Sequence, residues 1–204
     1  RNREDVLTRG KIKLANTLAK NIDTKAMSVL ETDADIQTMA ASAVWTTAGT
    51  DIISDLGAAE ELIETQDEGY DGFSGATLVL HTSMRDSLLN NTVLRNALPR
   101  ESQNTVIGGE AVPFLGLKEI IYTPRITQTL ALLIDTAVAG TVVDEVPDPQ
   151  EGWSSFSADP SVDPVYVMVY DDKPPKDKIL ACGRWAGFFL TDPKAIVKIT
   201  GVRV

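Results

Sequence analysis

The chain is poor in the side chains that most enzyme chemistry uses. Among 204 residues there is one histidine, His81, and one cysteine, Cys182. A single cysteine excludes a disulfide framework within the chain, and its place in an apolar, strand-like run predicts a buried, unreactive thiol. A single imidazole leaves acid–base and metal constellations built on several histidines without a second member. No apolar run approaches the roughly 20 residues that a helix needs to span a bilayer, so no membrane span is expected. Basic residues are short as well: 19 Lys and Arg stand against 29 Asp and Glu, a net charge of −10. Tight nonspecific binding to nucleic acid rests on neutralising phosphates with Lys and Arg, and an acidic chain is unsuited to it.

What charge there is lies unevenly. Arg1, Arg3, Arg9, Lys11, Lys13, Lys20 and Lys25 make the opening segment basic, whereas residues 51–71 carry eight acids and no Lys or Arg. The chain is electrically two-ended, with the acidic stretch read as the solvated face of a helix. Its length suffices for one compact domain that buries roughly 70% of its unfolded surface. The sequence opens on Arg1 and enters a helical pattern almost at once. A fragment or processed product is therefore expected, and nothing at the front has the layout of a signal peptide.

Along residues 5–31, Leu14, Leu18, Ile22, Ala26 and Leu30 recur at helical spacing, with Ala15, Ala19 and Met27 beside them. This predicts a long helix with one apolar stripe, in which Gly10 marks a bend or the true start. A weakly patterned link follows through Trp45. Thr50 is then placed to cap a second helix whose inner face holds Ile52, Leu56, Ala59 and Ile63, with Glu60, Glu61 and Glu64 outside and Gly69 and Gly72 beyond its end. Residues 77–81 read as a short buried strand, and Ser83 with Asp86 has the spacing of a capping box for a helix to residue 89. Short strands are expected at 111–114, 119–123, 130–134 and 141–143. Four prolines within 147–164 indicate a loop or crossing. A long hairpin closes the chain, with Val165, Val167 and Val169 alternating outward to a proline tip and a return strand through Leu180, Trp185 and Phe188.

The chemistry-bearing motifs are thin. No GxSxG elbow surrounds Ser83, so His81 reads as a structural histidine. There is no HExxH, paired CxxC or Walker loop. Gly108 and Gly109 are followed by Glu110 and Pro113 where a phosphate loop needs a helix start, and they read as a turn. Asp33 and Asp35 begin like a calcium loop, but Thr38 stands where the glycine is required. Asn90-Asn91-Thr92 matches a glycosylation sequon in form alone. Adjacent strand residues face opposite sides, so Trp185 is expected to pack while Arg184 meets an acid. Carboxylates are plentiful, yet none sits in an apolar context that marks a raised pKa. No catalytic residue, metal site or cofactor is expected, and the protein is not expected to be an enzyme.

Taken in order, the helix DVLTRGKIKLANTLAKNIDTKAMSVLE, the segments DIISDLGAAEELI and ATLVLHT, the segment IGGEAVPFLGLKEIIYTP, the strand LALLIDTAVAG and the terminal TDPKAIVKIT resemble the major capsid proteins of tailed bacteriophages, the Hong Kong 97 fold family. The resemblance covers nearly the whole chain and rests on the order of these pieces. It implies an α+β fold. A peripheral domain, built from a long spine helix in residues 1–45 and from a hairpin and final strand in 147–204, would flank an inserted axial α/β domain in 46–146. The N-terminal arm and extended loop that family members carry before the spine helix are not matched.

The resemblance further implies a structural protein that assembles with itself into an icosahedral shell of pentamers and hexamers around a double-stranded DNA genome, which it would enclose without sequence-specific binding. Scaffold, portal and decoration proteins would be its other partners, and the virion, assembled in the host bacterial cytoplasm, its location. The hairpin tip, Lys173, Pro174, Pro175, Lys176, Asp177 and Lys178, is the candidate subunit interface. Two other readings stand beside this one. An encapsulin-like nanocompartment shell would be marked by co-purified protein cargo. A small α/β metal-dependent enzyme would be marked by bound metal and by activity lost on replacing an acid such as Asp135.

Overall fold

The computed structural model describes residues 3–65, 73–75, 77–97, 117–146, 152–155, 165–171 and 178–204. The chain divides into two compact units, one of Arg1–Ala26 with Val142–Phe189 and the other of Met27–Thr141 with Leu190–Val204.

The second unit is built on a five-stranded sheet. Its strands are β1 (Gln37–Ala40), β2 (Thr77–His81), β3 (Glu119–Thr123), β4 (Leu130–Ile134) and the last strand of the chain, β10 (Ile196–Thr200), in the order β1-β10-β4-β2-β3. β1 runs parallel to β10 and β2 parallel to β3, while β4 is antiparallel to both its neighbours. The final strand therefore lies inside this sheet, paired on both edges.

Nearly every residue of β2 and β4 is buried, which requires cover on both faces. The two-residue strand period sorts the side chains cleanly. Leu78, Leu80, Ala131, Leu133, Val197 and Ile199 enter one core, and Val79, Leu132, Ile134 and Ile196 enter the other. The first core is closed by the helix α2 (Ile52–Thr65) through Ile52, Leu56, Ala59 and Ile63, the face expected from the sequence. Trp45, Met84 and Leu94 complete it, together with Leu88 from the short helix α3 (Arg85–Asn90). The second core takes Ile36, Ile126, Ala139 and Ala195, with Met27 and Leu30 packed against it.

Local hydrogen bonds refine the boundaries. Thr50 does not cap α2: its hydroxyl donates to the Val44 carbonyl at 2.9 Å, and Asp51 Oδ1 accepts the Ser54 amide at 3.1 Å instead. The capping box at Ser83 does not form either. Residues Thr82–Met84 make a 3₁₀ turn capped by His81, and Ser83 turns its hydroxyl to the imidazole. Another helix, α4 (Thr92–Ala97), is capped by the buried Asn91, whose Oδ1 accepts the Leu94 amide at 3.0 Å and whose Nδ2 donates to the Thr50 carbonyl at 2.9 Å.

The long helix α1 spans Arg3–Thr32 without interruption, about 45 Å at 1.5 Å per residue. Gly10 is not its start. A Cβ there would sit 3.4 Å from Leu180 Cδ2, at ordinary contact distance from the strand that carries Leu180. None of the described side chains of α1 is fully buried, and Thr17, Thr24 and Thr32 return their hydroxyls to carbonyls four residues back.

In the first unit, β6 (Ser154–Ser155), β7 (Tyr166–Asp171) and β8 (Lys178–Gly183) form an antiparallel sheet. The return arm of the expected hairpin is not one strand. It breaks at Arg184, after which β9 (Trp185–Leu190) leaves β7 and pairs with β5 (Gly140–Glu145) as a separate ribbon. Gly183, the last residue before the break, leaves room for an aromatic ring. A Cβ on Gly183 would stand 3.0 Å from the Trp185 ring, and that ring meets Trp153 edge to face at 5.1 Å. The strand expected at 111–114 lies outside the described residues, as do Gly69, Gly72, Gly108 and Gly109.

Candidate functional site

Among the described residues, His81, Ser83 and Asp135 are engaged by local hydrogen bonds of the fold. His81 Nδ1 accepts the Ser83 amide at 3.1 Å and lies 2.8 Å from Ser83 Oγ, and the Arg203 guanidinium donates to that same hydroxyl. Because Nδ1 is the acceptor of a backbone N–H, the serine hydroxyl donates to it, and both groups are pinned to a turn. Asp135, the acid that the enzymatic reading would use, accepts the Ala137 amide through Oδ1 and the Ser74 amide through Oδ2, each at 3.0 Å. Asp33 Oδ1 accepts the amide of Asp35, a local turn. Glu31 receives the Thr127 amide and hydroxyl, while Lys198 Nζ donates to the Glu31 carbonyl at 2.8 Å. Among the described residues no group of three or more His, Cys, Asp or Glu is placed to hold a metal ion. No described helix is long and apolar enough to cross a membrane.

Electrostatic perturbations follow the same pattern. Burial raises the Tyr122 phenol above its ordinary value, opposed by the charge of Arg85, and its buried oxygen has no hydrogen-bond partner among the described residues. Partial burial, with the neighbouring Glu64, raises the Glu60 carboxyl on the outer side of α2. Arg184 forms a two-pronged pair with Asp144, at 2.6 Å to Oδ1 and 2.8 Å to Oδ2, while Trp185 packs with Trp153 and Tyr166. Arg184 meeting an acid and Trp185 packing is the division expected from the sequence, although Arg184 itself lies between β8 and β9.

The hydrogen bond from Arg184 holds the Asp144 carboxyl below the usual carboxylate range, against a smaller opposing effect of burial. A depressed folded-state pKa contributes stability that is present above the unfolded value, about 4, and is lost as pH falls below it. The wild-type chain is therefore expected to exceed Arg184→Gln by about 0.5–1 kcal/mol at neutral pH, since the pair is partly exposed. Denaturation curves of the two should converge below about pH 4.

Of the candidate interface residues, Lys173, Pro174, Pro175, Lys176 and Asp177 lie outside the described residues. Lys178 opens β8, with its backbone opposite Asp171 at the end of β7. Sequence reasoning did not single out another set, the large apolar side chains left in solvent. Val142, Val143 and Val146 are 51%, 52% and 69% exposed at β5, Phe189 is 61% exposed on β9, and Val6 and Ile12 are exposed on α1.

A mixed sheet with its last strand paired internally, a thirty-residue helix and a separate β ribbon together make the α+β capsid fold of the Hong Kong 97 type. The sequence matches the family described as phage capsid protein over residues 1–199, and the chain belongs to that family. It is similar to a structure from Mycobacterium phage Che8, at 13% identity over 93% of this chain and 61% of that one, with a TM-score of 0.66. It is likewise similar to the capsid of Myoviridae phage XM1, at 11% identity over 96% of this chain and 65% of that one, with a TM-score of 0.65. A phage-related protein from Bordetella bronchiseptica RB50 aligns at 15% identity over 98% and 69% of the two chains, with a TM-score of 0.57. The chain thus spans about two thirds of the length of these relatives or slightly less. No curated protein matches it. The family match points to a structural capsid protein, and the neighbours share its fold.

Proposed function

We propose that this chain is the shell-forming body of a phage major capsid protein, which assembles with itself into an icosahedral shell of pentamers and hexamers around double-stranded DNA. The observation that carries this reading is the family match across residues 1–199, on a chain whose fold is that of phage capsids. A shell subunit needs edges and not an active site, and the polar groups that catalysis would use are here tied to backbone. Head-to-tail contacts around an axis close into rings, and several modest contacts per subunit add to a strong assembly. An acidic body limits adhesion of the wall to packaged DNA.

In this reading the three-stranded sheet with the first part of α1 serves as the peripheral domain, and the five-stranded sheet serves as the axial one. In place of the division read from residue numbers, 1–45, 46–146 and 147–204, this reading takes Met27–Thr141 with Leu190–Val204 as the axial unit and Arg1–Ala26 with Val142–Phe189 as the peripheral one. Scaffold, portal and decoration proteins are the further partners, with assembly in the host bacterial cytoplasm and the virion as destination.

Expression of the full-length protein, followed by light scattering and negative-stain microscopy, tests the proposal. Closed particles are expected, and a strict monomer under every assembly condition sinks it. Residues 173–178 are proposed to reach a neighbouring subunit. Replacing them with a Gly-Ser segment is expected to abolish particles while leaving the thermal melt of the subunit unchanged, and normal particles from that variant would remove the segment from the interface.

A further inference from the structure

Two exposed apolar surfaces of the first unit carry opposite charge. On α1, Val6, Arg9, Gly10, Ile12 and Lys13 line an open groove of about 560 Å³. Val6 is 65% and Ile12 47% exposed, and residues 6–22 contain Arg9, Lys11, Lys13 and Lys20 but no acid. The other surface is the β5–β9 ribbon. Between Arg125 and Lys173 the sequence has no Lys or Arg at all, and β5 ends in Asp144 and Glu145. Every residue of β5 is exposed, and among the described residues it pairs with β9 alone, so its other edge is open. Such an edge is a template for association unless something covers it.

Strand alternation gives the ribbon two unlike faces. Asp144 shares its side with Val142 and is already paired with Arg184. Val143 and Glu145 share the opposite side, an apolar residue beside an acid, and both face solvent. The α1 groove presents the matching combination, apolar Val6 and Ile12 beside basic Arg9 and Lys13.

We infer that the Val143–Glu145 side of the ribbon docks into the α1 groove of a second copy of this chain, with Val143 against Val6 and Ile12 and with Glu145 facing Lys13. This rests on the shell reading and identifies one of its subunit contacts. Donor and acceptor surfaces differ, so the contact is head-to-tail. A contact of that kind propagates around a ring and does not stop at a dimer. Charge complementarity sets which surfaces meet, and like charges placed opposite one another are strongly unfavourable.

The test uses the full-length protein and charge reversal at two exposed positions. Lys13→Glu and Glu145→Lys, each alone, are expected to lower the assembled fraction in sedimentation velocity by about tenfold or more. The double variant, which restores an opposite pair at every head-to-tail contact, is expected to recover particles. Singles that assemble like wild type, or a double variant no better than the singles, overturn the contact while leaving the shell reading intact. Failure of the wild type to assemble overturns both. As a second measurement, Ile12→Cys with Val143→Cys, in a chain whose Cys182 is serine, is expected to give a ladder of covalent multimers on oxidation. Monomeric migration of the oxidised protein, whether from an intramolecular bond or from none, rules the contact out.

Discussion

Asp55→Ala is expected to destabilise the five-stranded unit by about 3 kcal/mol, among the largest effects of any single polar substitution in this chain. Asp55 is only 4% exposed, in the first turn of α2. Its Oδ1 accepts the Ser42 amide at 3.0 Å and its Oδ2 accepts Trp45 Nε1 at 2.7 Å. Trp45 is itself fully buried, with its amide bonded to the Val202 carbonyl. One carboxylate thus joins the loop after β1, the largest core side chain and the start of α2, where the positive end of the helix dipole favours its charge. Truncation leaves the buried Trp45 Nε1 without its acceptor and also removes that of the partly buried Ser42 amide. Asp55→Asn keeps one acceptor and turns an amide group toward the other donor, so it should fall between alanine and wild type. Urea denaturation of the three proteins checks the order, and an alanine variant within about 0.5 kcal/mol of wild type would show that the carboxylate ties nothing together.

The second large effect concerns packing, at Gly75 and Leu133. A Cβ on Gly75 would lie 2.7 Å from Leu133 Cδ2 and 2.8 Å from Leu133 Cγ, with Ile63 Cδ1 at 3.2 Å. Leu133 is 1% exposed and Ile63 fully buried, so neither has room to retreat. Gly75→Ala is expected to cost about 1–3 kcal/mol by overpacking. Leu133→Ala is expected to cost about 3 kcal/mol or more through lost burial and the cavity that remains. The two changes oppose each other in volume. The double variant should therefore be more stable than the sum of the single losses predicts, with a coupling of about 1 kcal/mol or more. Strict additivity in a double-mutant cycle would mean that the two residues do not share this space.

Much of the fold was legible because periodicity reports burial directly. The inner face of α2, the strands at 77–81, 119–123 and 130–134 and the long opening helix all follow from apolar spacing, and all are present. Features set by partners distant in sequence were harder to read. The strand β1 has only four residues, and its burial alternates weakly. Its existence depends on pairing with β10, some 160 residues away. Thr50 has the chemistry of a cap, but the Val44 carbonyl competes successfully for its hydroxyl. Ser83 has the spacing of a capping box, but His81 and Arg203 take its oxygen. At Arg184 the return arm changes partners, from β7 to β5, and Arg184 pairs with Asp144 some 40 residues back, which no local pattern records.

The candidate interface shows the same split. The charge bias of the chain was visible at once, but the solvent exposure of Val142, Val143 and Val146 was not. Two adjacent valines look the same in a sequence whether a sheet covers both or neither.

By itself, then, the sequence determined the class of elements, their order, the scarcity of catalytic groups and a resemblance carried by that order. These are local properties, written in the spacing of apolar side chains and in composition. Tertiary structure alone decided that the last strand completes the five-stranded sheet, that Asp55 is a buried tie, and that β5 pairs, among the described residues, with β9 alone. Each of these depends on which distant segments compete for a hydrogen bond or a face, and that competition is settled only when the chain has folded.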